Sequence, residues 1–337
     1  MDRSPPVRVT ESPRGVGASE TVGPVDRSAR VFVAGHRGLV GSAIWRRMTA
    51  DGFTTLIGRS SAELDLRERD DVRRFFDAER PDVVVLAAAK VGGIVANMES
   101  PVEFLSDNVR IQVNVLDAAR EFGVGRLLFL GSSCIYPKDA PQPIREERLM
   151  TGHLEPTNDG YAIAKIAGIL HVQAVRREYG LPWISAMPTN LYGPGDNFDE
   201  HTSHVLPALI RRYDAARRSG ADVVVNWGSG SPRREFLHVD DMADACLHLL
   251  DHHDGDEHVN VGTGVDHEIR EIAEMVAAAV GFDGETRWDT SKPDGMKRKL
   301  LDVSVLRQSG WTPRIALADG VASTVDWFRA HAASVRA

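Results

Sequence analysis

The chain has 337 residues, 42% of them apolar and 26% charged, with a formal charge of −8. That is enough for one large core or two modest ones, and the acidity argues against a nucleic-acid partner while leaving room for an anionic ligand held by a few local arginines. Two cysteines, Cys134 and Cys246, are too few for a disulfide framework or a zinc site, and no apolar run reaches the roughly 18 residues of a membrane span; reduced thiols, no metal, no membrane association and a cytoplasmic location are expected.

Residues 1–29 are rich in Pro, Gly, Ser and Arg, lack the apolar stretch of a signal peptide, and read as a disordered leader. Order is expected from Arg30. The run Arg30–Ala34 is a short buried strand, followed by a glycine-rich turn and a helix through Ile44, Trp45 and Met48. Thr54–Ile57 is the next strand and Asp70–Glu79 the next helix. Val83–Ala87, Leu127–Leu130 and Trp183–Met187 are further apolar strands, separated by helices over Pro101–Phe122 and Gly160–Tyr179. Such alternation predicts an α/β, Rossmann-like doubly wound parallel sheet. Beyond Pro188 the pattern loosens. A helix at Val205–Ser219 and a strand at Val223–Val225 follow. Phe236–Val239 and His258–Val261 are expected to return to the main sheet around a helix at Asp241–Leu250, and Asp266–Val280 is another helix. This divides the chain into a dinucleotide-binding domain over 30–189, with returning segments near 236–262, and a smaller C-terminal α/β substrate lobe from 190–235 and 263–337.

The turn Gly35-His36-Arg37-Gly38-Leu39-Val40-Gly41 lies between a strand and a helix. Glycines at this spacing allow a tight turn and close approach of backbone to a pyrophosphate, which the helix N-terminus then favours. The second strand ends Ile57-Gly58-Arg59, with no acid to receive a ribose 2′-hydroxyl. Arg37 and Arg59 suit a 2′-phosphate instead, so NADPH is the expected cofactor. Asp65-Leu66 is a plausible edge for the adenine, and the small residues Ala87 and Ala88 let a cofactor lie against backbone.

Tyr161 and Lys165 form a YxxxK on a predicted helix, where i and i+4 share a face. The ammonium is expected beneath the phenol, lowering its pKa so that it can protonate a carbonyl as hydride arrives. Ser132, at the end of the fourth strand, adds a hydroxyl for the same oxygen.

Strand-end Ser, YxxxK and glycine turn in this order resemble the extended short-chain dehydrogenase/reductases. Longer segments narrow the resemblance: Ala87-Ala88-Ala89-Lys90-Val91-Gly92-Gly93-Ile94, Gly131-Ser132-Ser133-Cys134-Ile135-Tyr136-Pro137, Pro188-Thr189-Asn190-Leu191-Tyr192-Gly193-Pro194 and Arg234-Glu235-Phe236-Leu237-His238 are similar to the GDP-L-fucose synthases. That family converts GDP-4-keto-6-deoxy-D-mannose to GDP-L-fucose by epimerising carbons 3 and 5 and reducing carbon 4 with NADPH. The resemblance implies that Ser132, Tyr161 and Lys165 serve the reduction and that Cys134 and His204 are the epimerisation pair, which of them is base and which acid staying open. It extends the cofactor set to Leu130, Gly131, Ser133, Pro188, Thr189, Asn190, Leu191 and His204. It assigns Arg212 and Arg234 to the substrate phosphates, with Trp227 and Asp294 toward the nucleotide. It also implies a homodimer through the helices Pro101–Phe122 and Gly160–Tyr179. Ser61 stands where the family is expected to carry a further arginine.

Alternatives on the same fold are a nucleotide-sugar 4-epimerase or 4,6-dehydratase, or a non-catalytic NADP sensor. A dehydratase would carry a Thr-Asp-Glu-type set where this chain has Ser133-Cys134-Ile135, and a sensor often loses the Tyr or Lys that this chain keeps.

Overall fold

A computed structural model describes residues 23–199, 202–292 and 294–332. In chain order the first half runs β1 (Arg30–Ala34), α1 (Leu39–Ala50), β2 (Thr55–Ile57), α2 (Arg69–Glu79), β3 (Val83–Leu86), α3 (Ile94–Glu99), α4 (Pro101–Glu121), β4 (Arg126–Leu130), α5 (Asp159–Tyr179) and β5 (Ile184–Pro188). The second half runs β6 (Asn190–Tyr192), α6 (Val205–Ser219), β7 (Val223–Trp227), β8 (Arg233–His238), α7 (Val239–His252), β9 (Val259–Val261), β10 (Asp266–Glu268) and α8 (Ile269–Val280). It ends with β11 (Glu285–Asp289), β12 (Arg298–Lys299), α9 (Ser304–Gln308) and α10 (Leu317–Ala330).

Six parallel strands form the main sheet in the order β2-β1-β3-β4-β5-β9. Their side chains are apolar on both faces because helices cover both. Phe76, Val115, Leu116 and Val172 of α2, α4 and α5 pack on one face, and Ile44, Met48, Met242 and Leu249 of α1 and α7 on the other. The order reverses between β1 and β3, so the segments following these two strands open on one crevice at the carboxyl ends.

Phe236–Val239 does not return to this sheet. Phe236, Leu237 and His238 belong to β8, the centre of a second sheet in which it pairs with β6, β10 and β12. Asp266 likewise begins a strand rather than a helix, and its carboxylate takes ion pairs from Arg233 and Arg298. A third core, built by Tyr192, Ile210, Tyr213, Ile272 and Val325 among others, lies under α6, α8 and α10. Of the leader expected over 1–29, residues 1–22 lie outside the described residues. The last part is anchored: the Val25 amide donates to Asp251 Oδ1 (2.9 Å), and Arg27 pairs with both Asp51 (2.5 Å) and Asp251 (2.8 Å). No described helix is long and apolar enough to cross a membrane.

Candidate active site and cofactor cleft

Glycine is required in the turn after β1 for steric reasons. Gly35 has φ +85°, and a Cβ there would stand 2.8 Å from the Ala88 amide nitrogen. A Cβ on Gly41 would run into the Gly35 carbonyl. The Gly38 amide donates to that carbonyl (2.9 Å), and the Gly38 carbonyl accepts from Ser42 at the start of α1. No side chain caps this helix end, and uncapped first-turn amides, here of Leu39, Val40 and Gly41, are donors for phosphate oxygens. The turn thus lies close against the backbone of Ala87 and Ala88, leaves the first-turn amides of α1 uncapped, and fits a dinucleotide pyrophosphate.

His36 turns inward, its ring 5.4 Å from that of Trp45 and tight against Gly58. Burial, followed by the Arg37 charge, lowers its pKa, so it packs as a neutral ring. Arg37 is exposed at the turn. Arg59 is not free as expected: it pairs with Glu79 (2.5 Å), donates to the Gly58 carbonyl (2.9 Å) and lies 5.6 Å over the Phe75 ring. A 2′-phosphate would have to replace Glu79 as its partner. Asp65 is also committed, its carboxylate held below the usual range by Arg67 at 2.7 Å. The Leu66 side chain joins the core, and its carbonyl accepts from Asn114 (3.0 Å).

The end of β4 gathers the residues expected to react. Lys165 Nζ donates to the Leu130 carbonyl (2.8 Å). The Gly131 amide donates to the Ala186 carbonyl (2.9 Å), and a Cβ at Gly131 would strike the Met187 sulfur. Ser132 then opens a single 3-10 turn over Ser133–Ile135, its Oγ accepting from the Cys134 amide (3.2 Å). Ser133 is buried, so the turn sends Ser132 and Cys134 toward the cleft.

Tyr161 and Lys165 share the inner face of α5, but the ammonium does not sit beneath the phenol. It is turned to Leu130 and lies 5.0 Å from the Phe129 ring centroid and 5.9 Å from that of Tyr161. Desolvation pulls its pKa down to about 7. The Tyr161 pKa is therefore not lowered as expected. Burial and then the neighbouring Cys134 raise it, against a smaller lowering by the Ser132 hydroxyl. Tyr161 holds its proton and is a donor. Burial would also raise the Cys134 thiol, but the Lys299 charge, with smaller contributions from Ser132 and Asn158, holds it below the ordinary thiol range.

His204 precedes the first residue of α6, on a different element from Cys134. Its approach loop is tied to the segment after β3, because the Gly93 amide donates to the Thr202 carbonyl (3.3 Å). The residue is exposed, and the protein packed around its ring lowers the ring's pKa by desolvation. Ser132, Cys134, Tyr161 and Lys165 are gathered at one strand end; no hydrogen bond joins His204 to them among the described residues.

On the side of the second sheet, Arg212 donates to Asn226 Oδ1 (2.7 Å) and Arg234 to the Arg233 carbonyl (2.8 Å). Neither has a carboxylate partner among the described residues, and desolvation lowers the pKa of Arg234; an anion would relieve both. Trp227 is 69% exposed, with Lys292 5.7 Å over its ring. Asp294 already accepts twice from Ser229, one oxygen from the amide (2.8 Å) and the other from the hydroxyl (2.7 Å). Pro188 ends β5; Thr189 and Asn190 direct their side chains to the Glu235 carbonyl (3.3 and 2.7 Å), and Leu191 packs on the core. These residues join the two sheets and leave mainly backbone to a cofactor. Lys299 and Asn158, both beside Cys134, were not legible in the sequence. Lys299 is 165 residues from Cys134, and only strand pairing brings them together.

Residues 31–262 match the model of the NAD dependent epimerase/dehydratase family. The chain is 58% identical to GDP-L-fucose synthase 1 of Arabidopsis thaliana over 310 residues, covering 92% of this chain and 96% of the plant protein. It is 54% identical to the GDP-L-fucose synthase of Escherichia coli strain K12 over 308 residues, 89% and 96% of the two chains. A solved structure of a GDP-L-fucose synthetase from Naegleria fowleri bound to NADP superposes with a TM-score of 0.86 at 28% identity, covering 95% of this chain and 99% of the other.

Proposed function

The chain belongs to the NAD dependent epimerase/dehydratase family and, within it, to the GDP-L-fucose synthases, and from that premise we propose that it epimerises carbons 3 and 5 of GDP-4-keto-6-deoxy-D-mannose and reduces carbon 4 with NADPH to give GDP-L-fucose. The observation that carries the reading is the gathering of a proton-holding tyrosine and an acidified thiol at one strand end, beside a dinucleotide cradle. A reductase alone has no use for the thiol.

The hydrogens on carbons 3 and 5 are acidic because the keto group lies between them. Cys134 is the base: the proton passes from carbon to Sγ, and the electron pair moves to the carbonyl oxygen as an enolate forms. Ser132 and Tyr161 donate hydrogen bonds to that oxygen. His204, from its separate loop, returns a proton to the opposite face and is recharged from solvent, and Cys134 gives its proton up to solvent before it serves the second carbon. The hydride for carbon 4 comes from bound NADPH. Tyr161 then delivers its proton to the oxygen, and its raised pKa keeps that proton in place until the negative charge develops. Lys165, fixed by Leu130, would hold the nicotinamide ribose.

Residues 30–189 with 239–262 are assigned to the cofactor, and 190–238 with 263–337, which take in β8, to the substrate. Arg212 and Arg234 would grip the diphosphate and Trp227 the nucleotide end, while Asp294 supports the turn after β7. Exposed Val102, Leu105, Ile163 and Leu170 on α4 and α5 support a homodimer through these helices. Two free cysteines, one of them in the site, suit the cytoplasm. The test is turnover of the 4-keto sugar with loss of NADPH absorbance and identification of the fucosyl product. NADPH consumption that leaves carbons 3 and 5 unepimerised would reject the reading.

A further inference from the structure

A cation from the second sheet reaches the nucleophilic turn of the first. Lys299 Nζ lies 3.6 Å from Cys134 Sγ. Lys299 is the last residue of β12, in parallel register opposite Arg234 of β8. The strand is fixed on both sides. The Arg233 amide donates to the Lys297 carbonyl (2.9 Å), the Leu300 amide to Gln142 Oε1 (2.8 Å), and the Leu301 amide to the buried Glu235 carboxylate (3.0 Å). Lys299 has no carboxylate partner among the described residues, so its nearest anionic prospect is the sulfur. The other groups beside that sulfur are Tyr161 and Asn158 at the start of α5 and Ser132 on its own turn. A tyrosine that keeps its proton, an amide and a hydroxyl bring no positive charge.

We infer that Lys299 is a positioning residue for the epimerisation, pairing with Cys134 so that the sulfur stands as a thiolate before substrate arrives. An ordinary thiol, with a pKa of about 8.5, is mostly protonated at neutral pH and is a poor base in that form. Cys246 provides the internal contrast: wholly buried with no cation near it, its thiol is pushed up, whereas Cys134 is held down. The ion pair stands on the contact alone; its use in epimerisation rests on the function proposed above.

The experiment is the pH dependence of iodoacetamide alkylation at Cys134 in the full substrate-free chain, read by peptide mass spectrometry, with buried Cys246 as the unreactive control. The wild-type rate should inflect below the ordinary thiol value of about 8.5. Lys299→Met should move the inflection up by about one pH unit or more and reduce alkylation at pH 7 by about tenfold, and Lys299→Arg should restore most of it. A role confined to packing would not move the inflection. An unchanged inflection in Lys299→Met, or a wild-type inflection at or above that of a free thiol, overturns the inference. Should Lys299→Met fail to give a cooperative melt, Lys299→Gln carries the same test. A wild-type chain that alkylates as expected but leaves the 4-keto sugar untouched overturns the proposed function and leaves the ion pair standing. Normal turnover with an insensitive inflection does the reverse.

Discussion

Cys134 and Tyr161 are close enough that the sulfur raises the phenol's pKa, yet their tasks separate under substitution. Cys134→Ser replaces a thiol with a far weaker acid. It should slow deuterium entry at carbons 3 and 5 in heavy water by about 100-fold or more, while NADPH binding survives because the Gly35–Gly41 turn is untouched. Tyr161→Phe should leave measurable deuterium entry with NADPH unspent, as mass spectrometry and absorbance together would report. Deuterium exchange at the wild-type rate in Cys134→Ser would remove that residue from the role of base. Asp196, on the loop between β6 and α6, bears on stability. It is 8% exposed; one oxygen accepts from the Asn197 amide (2.7 Å), and the other is buried without a partner among the described residues. Burial pushes its pKa from 3.8 up to about 7. A carboxyl whose folded value is raised favours the fold fully below its unfolded value, and that contribution is lost as pH rises through the folded one. Wild type should therefore lose stability between about pH 4 and pH 7 by this group. Asp196→Asn should melt higher than wild type at pH 8 and lose that advantage at pH 4, as calorimetry at the two pH values would show.

The turn between β1 and α1 exists at the scale of an element, because three segments meet in it. Gly35→Ala would set a methyl against the Ala88 amide at a φ of +85°. It should cost about 1–3 kcal/mol of stability and weaken NADPH binding at least about tenfold, since the turn must shift away from β3; calorimetric melting and fluorescence titration measure the two effects. This turn, like the YxxxK, was legible in the sequence because a handful of consecutive residues carries it. β1, β3 and β4 were legible for the same reason: an unbroken apolar run suits only a strand buried on both faces. The run Phe236–Leu237 is equally apolar, and periodicity does not say which sheet receives it. Its destination is decided by β6, β10 and β12, distant segments whose pairing leaves no local signal. Arg59 and Asp65 were recognisable as charges just beyond the second strand, but their partners, Glu79 and Arg67, come from packing and from the local turn. Lys299 was invisible for the same reason as the second sheet: nothing near it in the chain marks it.

At the scale of the whole molecule, α4 and α5 carry exposed apolar side chains among the described residues. Val102 is 75% exposed and Ile163 50%, and isolated apolar side chains are ordinary on a surface whereas a face shared by two packed helices asks for a cover. Val102→Asp combined with Ile163→Asp should convert a dimer into a monomer by light scattering at micromolar concentration, with the fold retained by circular dichroism; a wild-type monomer with full activity would sink the assignment. The residues before β1 have a consequence of another kind, for where the chain can be trimmed. Arg27 spans Asp51 at the end of α1 and Asp251 at the end of α7, and it covers the Phe53 ring at 4.7 Å. It therefore fastens together two helices on the same face of the main sheet that are far apart in sequence. Cutting the chain at its first strand would leave the largely buried Asp251 without its arginine, beside an Asp51 that retains only Arg47. A chain begun at Gly23 should keep the fastening and one begun at Arg30 should lose it. The chain begun at Gly23 should melt at the higher temperature at pH 7 by calorimetry, because only it keeps the Arg27 pairs; equal melting of the two would mean that the folded unit does begin at β1.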